Sequence, residues 1–339
     1  MTTSPFRVLR PIQTVISQLQ DFNVHQFRQI AFTPETPLLI TTSTEHSRDT
    51  ATEASLPATR KWFRVDRVTT GDEQAFKEFR YSLSRSYDWE KFKDVMLPYE
   101  LMAPPVNQID GIDFVAKFRK HLMLQNKEYL AEFLPSYDIL TTSNEEKFHS
   151  FQAPLELFLE ASRRQECSEH GIDSDGAYWL GKLYIAQAQI ADLPRELQAA
   201  LPTPRIVSEA GKGDIYDSNI WLGIPSTYTP LHKDPNPNLF VQLTSSKVVR
   251  LFRPDVGRGI FHRVQMQLGA QSSMSFRGEE MMQGPERSLL EHAVWVNPPE
   301  DGHEVVVRPG DALFIPKGWW HSIKSMGTDI TASVNWWFR

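Results

Sequence analysis

Two imidazoles and a carboxylate are the first side chains here whose types and spacing suggest chemistry. In TYTPLHKDPNPNLF, His232 and Asp234 stand one residue apart. On a strand such side chains leave one face about 6 to 7 Å apart, within reach of one ion. With 10 His in 339 residues, that spacing arises by chance about half the time, so two unrelated residues fit the pair equally well. A further imidazole arrives late, in DALFIPKGWWHS. There a strand-like run ends at Pro316, turns through Gly318 and delivers His321 onto another strand. Alone, His321 also reads as a satisfied core histidine. Together, two His and one carboxylate suit a facial triad, which fills one side of an octahedral ion and leaves three positions open for chemistry. Such ligands favour Fe(II) or Zn(II), and the lack of thiolates argues against a closed structural zinc site.

Lys247 lies in VQLTSSKVVRLFRP, between apolar runs with the texture of a sheet interior. A lysine pointing into a barrel needs an anion to offset its desolvation, and a dicarboxylate co-substrate would supply one. A solvated lysine at the Ser-Ser-Lys turn is the other reading.

The elements that must position these groups are mostly strands. From Tyr178 onward, short β-branched or aromatic runs are bounded by Pro, Gly, Asn and Asp, the pattern of a β-rich half. Ahead of them, LLITT after a Pro-x-x-Pro turn reads as a strand, 45–60 as a polar loop, and 71–96 as helical or irregular surface. Segments 112–133 and 144–170 read as helices, the second with Phe148, Phe151, Leu155, Leu157 and Phe158 before a Gly171 stop. Residues 255–303, with six glycines and four methionines, read as a long loop, either a lid or a plain structural excursion. No linker divides the chain. The expectation is a short extension over 1–21 and a single domain over 22–339, with a helical insertion at about 112–175.

Composition narrows the classes. Hydrophobic residues make up 40% and charged residues 23%, with 20 Phe, 9 Trp and 9 Tyr, enough to bury a sizeable core and too apolar for a disordered chain. A net charge of -6 offers no global field for nucleic acid or anionic lipid. No eighteen apolar residues run together, so no membrane partner is expected. The single Cys167 excludes an internal disulfide and suits an intracellular chain, cytoplasmic or nuclear.

Asn219 to Pro254, then RPGDALFIPKGWWHSI and TASVNWWF, resemble the JmjC family of Fe(II)- and 2-oxoglutarate-dependent oxygenases, and its hydroxylase branch more than the multidomain demethylases. The likeness is specific over about 176–339; earlier it is limited to LLITT, KWF at 61–63 and LPYEL at 97–101. It implies a mainly β fold with flanking helices, a double-stranded β-helix of the cupin or jelly-roll type. It also implies His232, Asp234 and His321 as iron ligands, and Thr229 and Lys247 on the distal carboxylate of 2-oxoglutarate, with Tyr184 reaching the same group. Asn238, Phe240 and Asn335 match positions that orient the co-substrate and the metal face. Phe240 also reads as a plain core aromatic, and the tryptophans at 319, 320, 336 and 337 as barrel core rather than pocket lining. The implied reaction uses O2 to decarboxylate 2-oxoglutarate to succinate and hydroxylate a C–H bond. The substrate is then a protein side chain or a small molecule; histone demethylation and a metal-holding cupin without turnover are weaker readings. Oligomeric state is open, a homodimer being compatible.

Overall fold

The protein is represented by a computed structural model that describes residues 9–42, 56–68, 78–103, 114–135, 147–169, 183–224, 226–269 and 282–339. Its strands in chain order are β1 (Gln13–Ile16), β2 (Leu38–Thr41), β3 (Phe63–Val68), β4 (Glu78–Leu83), β5 (Met96–Ala103), β6 (Lys147–Pro154), β7 (Leu183–Gln189) and β8 (Ile215–Gly223), followed by β9 (Tyr228–Lys233), β10 (Asn238–Thr244), β11 (Lys247–Phe252), β12 (His303–Val307), β13 (Ala312–Ile315), β14 (Trp320–Ser325) and β15 (Thr331–Phe338). A large sheet runs β1-β2-β13-β10-β15-β8-β7-β5-β6, and a smaller one runs β12-β11-β14-β9. Apart from the parallel β1–β2 edge, every pair in both sheets is antiparallel. The fold is the expected jelly roll with flanking helices.

Side-chain alternation assigns the faces. Phe240, Leu313 and Ile315 of the large sheet meet Val249, Leu251, Val305 and Val307 of the small one, forming the inner core. Each fully buried aliphatic there stabilises the fold by roughly 1.5–3 kcal/mol. The opposite face of the large sheet carries Leu239, Val241, Ile220, Leu222, Val334 and Trp336, packed against the N-terminal helices. Because helices cover one face and the small sheet the other, β10 is buried along its whole length, its polar residues Asn238, Gln242 and Thr244 included.

Residues 255–303 depart from the expected loop. Pro254–Leu268 is an α-helix with Pro at its first position and Gly269 closing it at φ 63°, and Gly284–Glu291 is a second helix. Ile260, Phe261, Val264, Leu290 and Val294 bury themselves with Trp320 on the outside of the small sheet. Gly257, a loop signal in sequence, is instead a close-approach residue: a Cβ there would lie 2.1 Å from Trp320 Cγ. Gly278, Met274 and Met281 lie outside the described residues.

Segment 144–170 also divides differently. Lys147–Pro154 is strand β6 and only Leu155–Glu169 is helical, because β5 offers an open edge that pairs every residue from Met96 to Ala103 with β6. Tertiary pairing overrides the helical spacing of Phe148 and Phe151. Likewise 112–133 holds a shorter helix, Phe114–Leu124, and a 3-10 turn, Glu128–Phe133, so the stretch 112–175 contributes a strand to the main sheet as well as helices. Within 71–96 lie strand β4 and the turn Trp89–Phe92. The stretch before residue 22 is not merely an extension, since β1 pairs with β2 in the large sheet. No helix among the described residues is long and apolar enough to cross a membrane.

Candidate metal centre

Strands β9 and β14 bring the distant histidines together. His321 pairs directly with His232, and antiparallel partners share a face, so their ring centroids lie 4.1 Å apart. The turn that delivers His321 is the one legible in sequence. Trp319 N donates to Pro316 O at 3.2 Å, and Gly318 sits at φ 76°, where a type II turn demands glycine. Gly318 N also donates to Asp234 O at 3.2 Å, tying the turn to the residue just beyond β9.

One donor atom from each of His232, Asp234 and His321 lies within 4.8 Å of the others. His232 Nε2 is 3.9 Å from one Asp234 oxygen, and His321 Nε2 is 3.7 Å from the other. Both Nδ1 atoms face backbone carbonyls, His232 that of Pro230 at 2.9 Å and His321 that of Trp319 at 3.2 Å. Those carbonyls require Nδ1–H and leave each Nε2 lone pair facing the common point, as a metal ligand requires. Burial, with neighbouring His232 in support, lowers His321 to about 4, keeping the ring neutral. Burial alone would raise Asp234, but the two imidazoles and hydrogen bonds from Trp337 and Asn238 bring it below its ordinary value. The donor set fits a divalent ion with open positions.

Asn238 Nδ2 donates to Asp234 Oδ2 at 2.9 Å, and Asn335 Nδ2 donates to Asn238 Oδ1 at 2.8 Å. The two asparagines therefore hold the carboxylate from β10 and β15.

Lys247 points into the same interior. It is 2% exposed, and its Nζ donates to Ser333 Oγ at 2.9 Å and Tyr184 Oη at 3.3 Å. The ring centroids of Phe240 and Tyr184 lie 5.5 and 5.7 Å from that nitrogen. No carboxylate among the described residues pairs with it, and desolvation lowers its pKa to about 7. A buried lysine cupped by two hydroxyls and an aromatic face fits an incoming carboxylate.

Thr229 reaches this face through a bulge. Between the pairs His321–His232 and Ile323–Thr229 the register shifts, β9 spanning three residues where β14 spans two. The extra residue turns Thr229 to the side of His232, beside Ile323, which packs on the inner core. Tyr184 depends on Gly223 opposite it, where a Cβ would fall 2.6 Å from its ring. The structure thus gathers all nine expected site residues around one interior.

Sequence reading missed Ser333, which accepts from Lys247 Nζ, although alternation from Asn335 along β15 would have pointed to it. The tryptophans separate. Trp336 is in the outer core, Trp320 lies under the helical insertion, and Trp319 packs on the inner core with its Nε1 donating to Glu35 O at 3.0 Å. Of the four side chains, that of Trp337 hydrogen-bonds to Asp234.

Comparison with known proteins agrees with this geometry. The model of the "Cupin-like domain" family matches residues 119–339. Curated relatives include Lysine-specific demethylase 8 of Danio rerio, 29% identical over 46% of this chain and 36% of its own length. Lysine-specific demethylase JMJ30 of Arabidopsis thaliana is 26% identical over 45% and 33%, and Jumonji C domain-containing protein 5 of Drosophila melanogaster 27% over 45% and 36%. The chain spans about a third of the length of these relatives. With a family match over about two thirds of its residues and the His-Asp-His cluster inside a jelly roll, the chain belongs to the cupin-like JmjC domain family of Fe(II)- and 2-oxoglutarate-dependent oxygenases.

Proposed function

We propose that this protein is itself such an enzyme, hydroxylating a C–H bond, with a protein side chain as substrate. The observation that carries the reading is a buried lysine without a counter-ion among the described residues, Lys247, facing the same interior as three preorganised metal donors. His232, Asp234 and His321 would hold the ion, while Lys247, Thr229 and Tyr184 would grip the distal carboxylate of 2-oxoglutarate. When bound, Fe(II) with 2-oxoglutarate and O2 supplies the oxidising power for C–H hydroxylation. The chain's own work is positioning. Asn238 and Asn335 keep Asp234 aimed, the Pro230 and Trp319 carbonyls fix the imidazole tautomers, and Phe240, whose ring lies 5.5 Å from Lys247 Nζ, would wall a bound co-substrate on its apolar side. A protein substrate accords with the names of the relatives, which are called lysine-specific demethylases. Those names favour a second reading, oxidation of an N-methyl C–H bond on lysine, which needs the same site. A small-molecule substrate is the alternative. Fe(II) and 2-oxoglutarate are both metabolically available inside cells, in keeping with an intracellular role in cytoplasm or nucleus.

The test is release of labelled carbon dioxide from 1-labelled 2-oxoglutarate by protein loaded with Fe(II). Turnover should fall at least 100-fold in His232→Ala and in Asp234→Ala, alongside loss of bound metal. Undiminished turnover in either variant refutes the ligand assignment. Peptide products 16 Da heavier identify hydroxylation, whereas formaldehyde release from methyl-lysine peptides identifies demethylation.

A further inference from the structure

Strand β8 carries a feature that the metal and co-substrate do not use. Its even-numbered residues Ile220 and Leu222 belong to the outer core, so Asp217, Asn219 and Trp221 face the barrel interior. Register places them level with the site: Asn219 pairs with Asn335, which pairs with Phe240, while Asp217 pairs with Trp337, which pairs with Asn238. Trp221 pairs with Ser333 at the Lys247 end, its ring centroid 5.7 Å from that of Tyr184. Asn219 therefore lies at the level of the carboxylate-holding asparagines, two strand spacings or about 10 Å from β10, with Asp217 on the side of the metal ligands.

Asn219 is 2% exposed. Its Nδ2 donates to Asp217 Oδ2 at 2.8 Å, and Asp217 Oδ1 accepts from Ser218 N at 2.8 Å, so the carboxylate fixes which end of the amide points where. The remaining end, Oδ1, is buried with no hydrogen-bond partner among the described residues. A buried carbonyl oxygen left unpaired costs roughly 1–3 kcal/mol, and such a group in an otherwise satisfied polar chain marks a place where a ligand supplies the partner.

We infer that Asn219, oriented by Asp217, is a substrate-recognition residue that accepts a hydrogen bond from a side-chain N–H group of the substrate. This rests on the oxygenase reading only in calling the ligand a substrate; the need for a hydrogen-bond donor follows from the orphaned acceptor, and N–H is the donor class proposed. Discrimination should be strong, because a substrate lacking the donor leaves Oδ1 unpaired. Amides and protonated amines or guanidines share this N–H chemistry.

Binding without turnover is tested first. Saturation-transfer NMR on the Zn(II)-loaded protein uses acetamide, methylguanidinium and, as the N–H-free match for acetamide, acetone. Acetamide or methylguanidinium should bind the wild type at least tenfold better than acetone, and which of the two prevails tells a neutral amide from a cationic donor. Asn219→Leu should bring that preference within twofold. Asp217→Asn, which keeps the shape of the pair but lets the amide rotate, should reduce it about threefold and serves if the leucine variant misfolds. Equal binding of acetone, or an undiminished preference in both variants, overturns the proposal. With Fe(II), 2-oxoglutarate and a peptide library varied at its central residue, Asn219→Leu should raise the peptide KM about tenfold while the 2-oxoglutarate KM stays within twofold. Oxidation of Leu, Val and Pro peptides as readily as N–H-bearing ones also overturns it. Absence of carbon dioxide release from the wild type would sink the oxygenase reading and leave the NMR result standing.

Discussion

Replacing Lys247 by Met should make the metal-loaded but co-substrate-free protein more stable, and the size of the effect follows from burial. Burial lowers the lysine from its ordinary 10.5 to about 7. Below pH 7 both folded and unfolded chains carry the proton, and the folded state bears the whole penalty of an enclosed charge, about 5 kcal/mol for that shift. Between 7 and 10.5 the unfolded chain binds more protons than the folded one, so stability climbs with pH through that window. At pH 7.5 the remaining penalty is about 4 kcal/mol. Met removes it but forfeits the bonds to Ser333 and Tyr184, about 1 kcal/mol each. The net gain of about 2 kcal/mol corresponds to a Tm rise of roughly 3 °C in a chain of this length. Melts of both proteins with Mn(II), from pH 6.5 to 10, should show the variant ahead at low pH and the gap closing as pH rises. The wild type should gain about 2.7 kcal/mol from 2-oxoglutarate at 100 times its Kd, with a proton taken up on binding and affinity falling above pH 7, whereas the variant should gain nothing. A less stable variant with a pH-independent gap, still stabilised by 2-oxoglutarate, would refute the reasoning.

Two other perturbations probe the supports of the site. Asn238→Leu removes the donor that holds Asp234 Oδ2; metal affinity, read by competition with a chelator, should drop 10- to 100-fold with little change in Tm. Gly257→Ala would drive a Cβ into the Trp320 ring, forcing the helical insertion off the small sheet at a cost of about 2–3 kcal/mol. Since Trp320 precedes His321, metal affinity should weaken together with Tm, and a denaturant midpoint equal to wild type would show that the helix yields freely.

Much of the site was legible because its chemistry is carried by residue types with few alternative uses. A His-x-Asp ending a strand and a late histidine after Pro-x-Gly bring their donor atoms within 4.8 Å of one another, and the glycine conformation that the turn needs is the one observed. Lys247 was ambiguous in sequence, since a Ser-Ser-Lys turn at a surface looks the same as a strand start at a barrel wall. Thr229 faces inward only through a bulge in β9, and bulges leave no local signature in a short strand. The errors have a common cause. Glycines at 257 and 259 and methionines scattered through 255–303 suggested a loop, yet Gly257 serves contact with Trp320. Phe148 and Phe151 suggested a helix, yet an open β5 edge recruited them.

The amino-acid order alone determined the chemical inventory: which side chains can bind a divalent ion, which cation awaits an anion, and where turns must fall, because these depend on residue type and near neighbours. Tertiary structure decided what faces what. Cross-strand register joined residues 89 positions apart as paired imidazoles, aligned Asn219 with Asn335, and left Asn219 Oδ1 without a hydrogen-bond partner among the described residues. Register is set by the packing of whole sheets, and a shift of one residue would turn each of these groups to the opposite face.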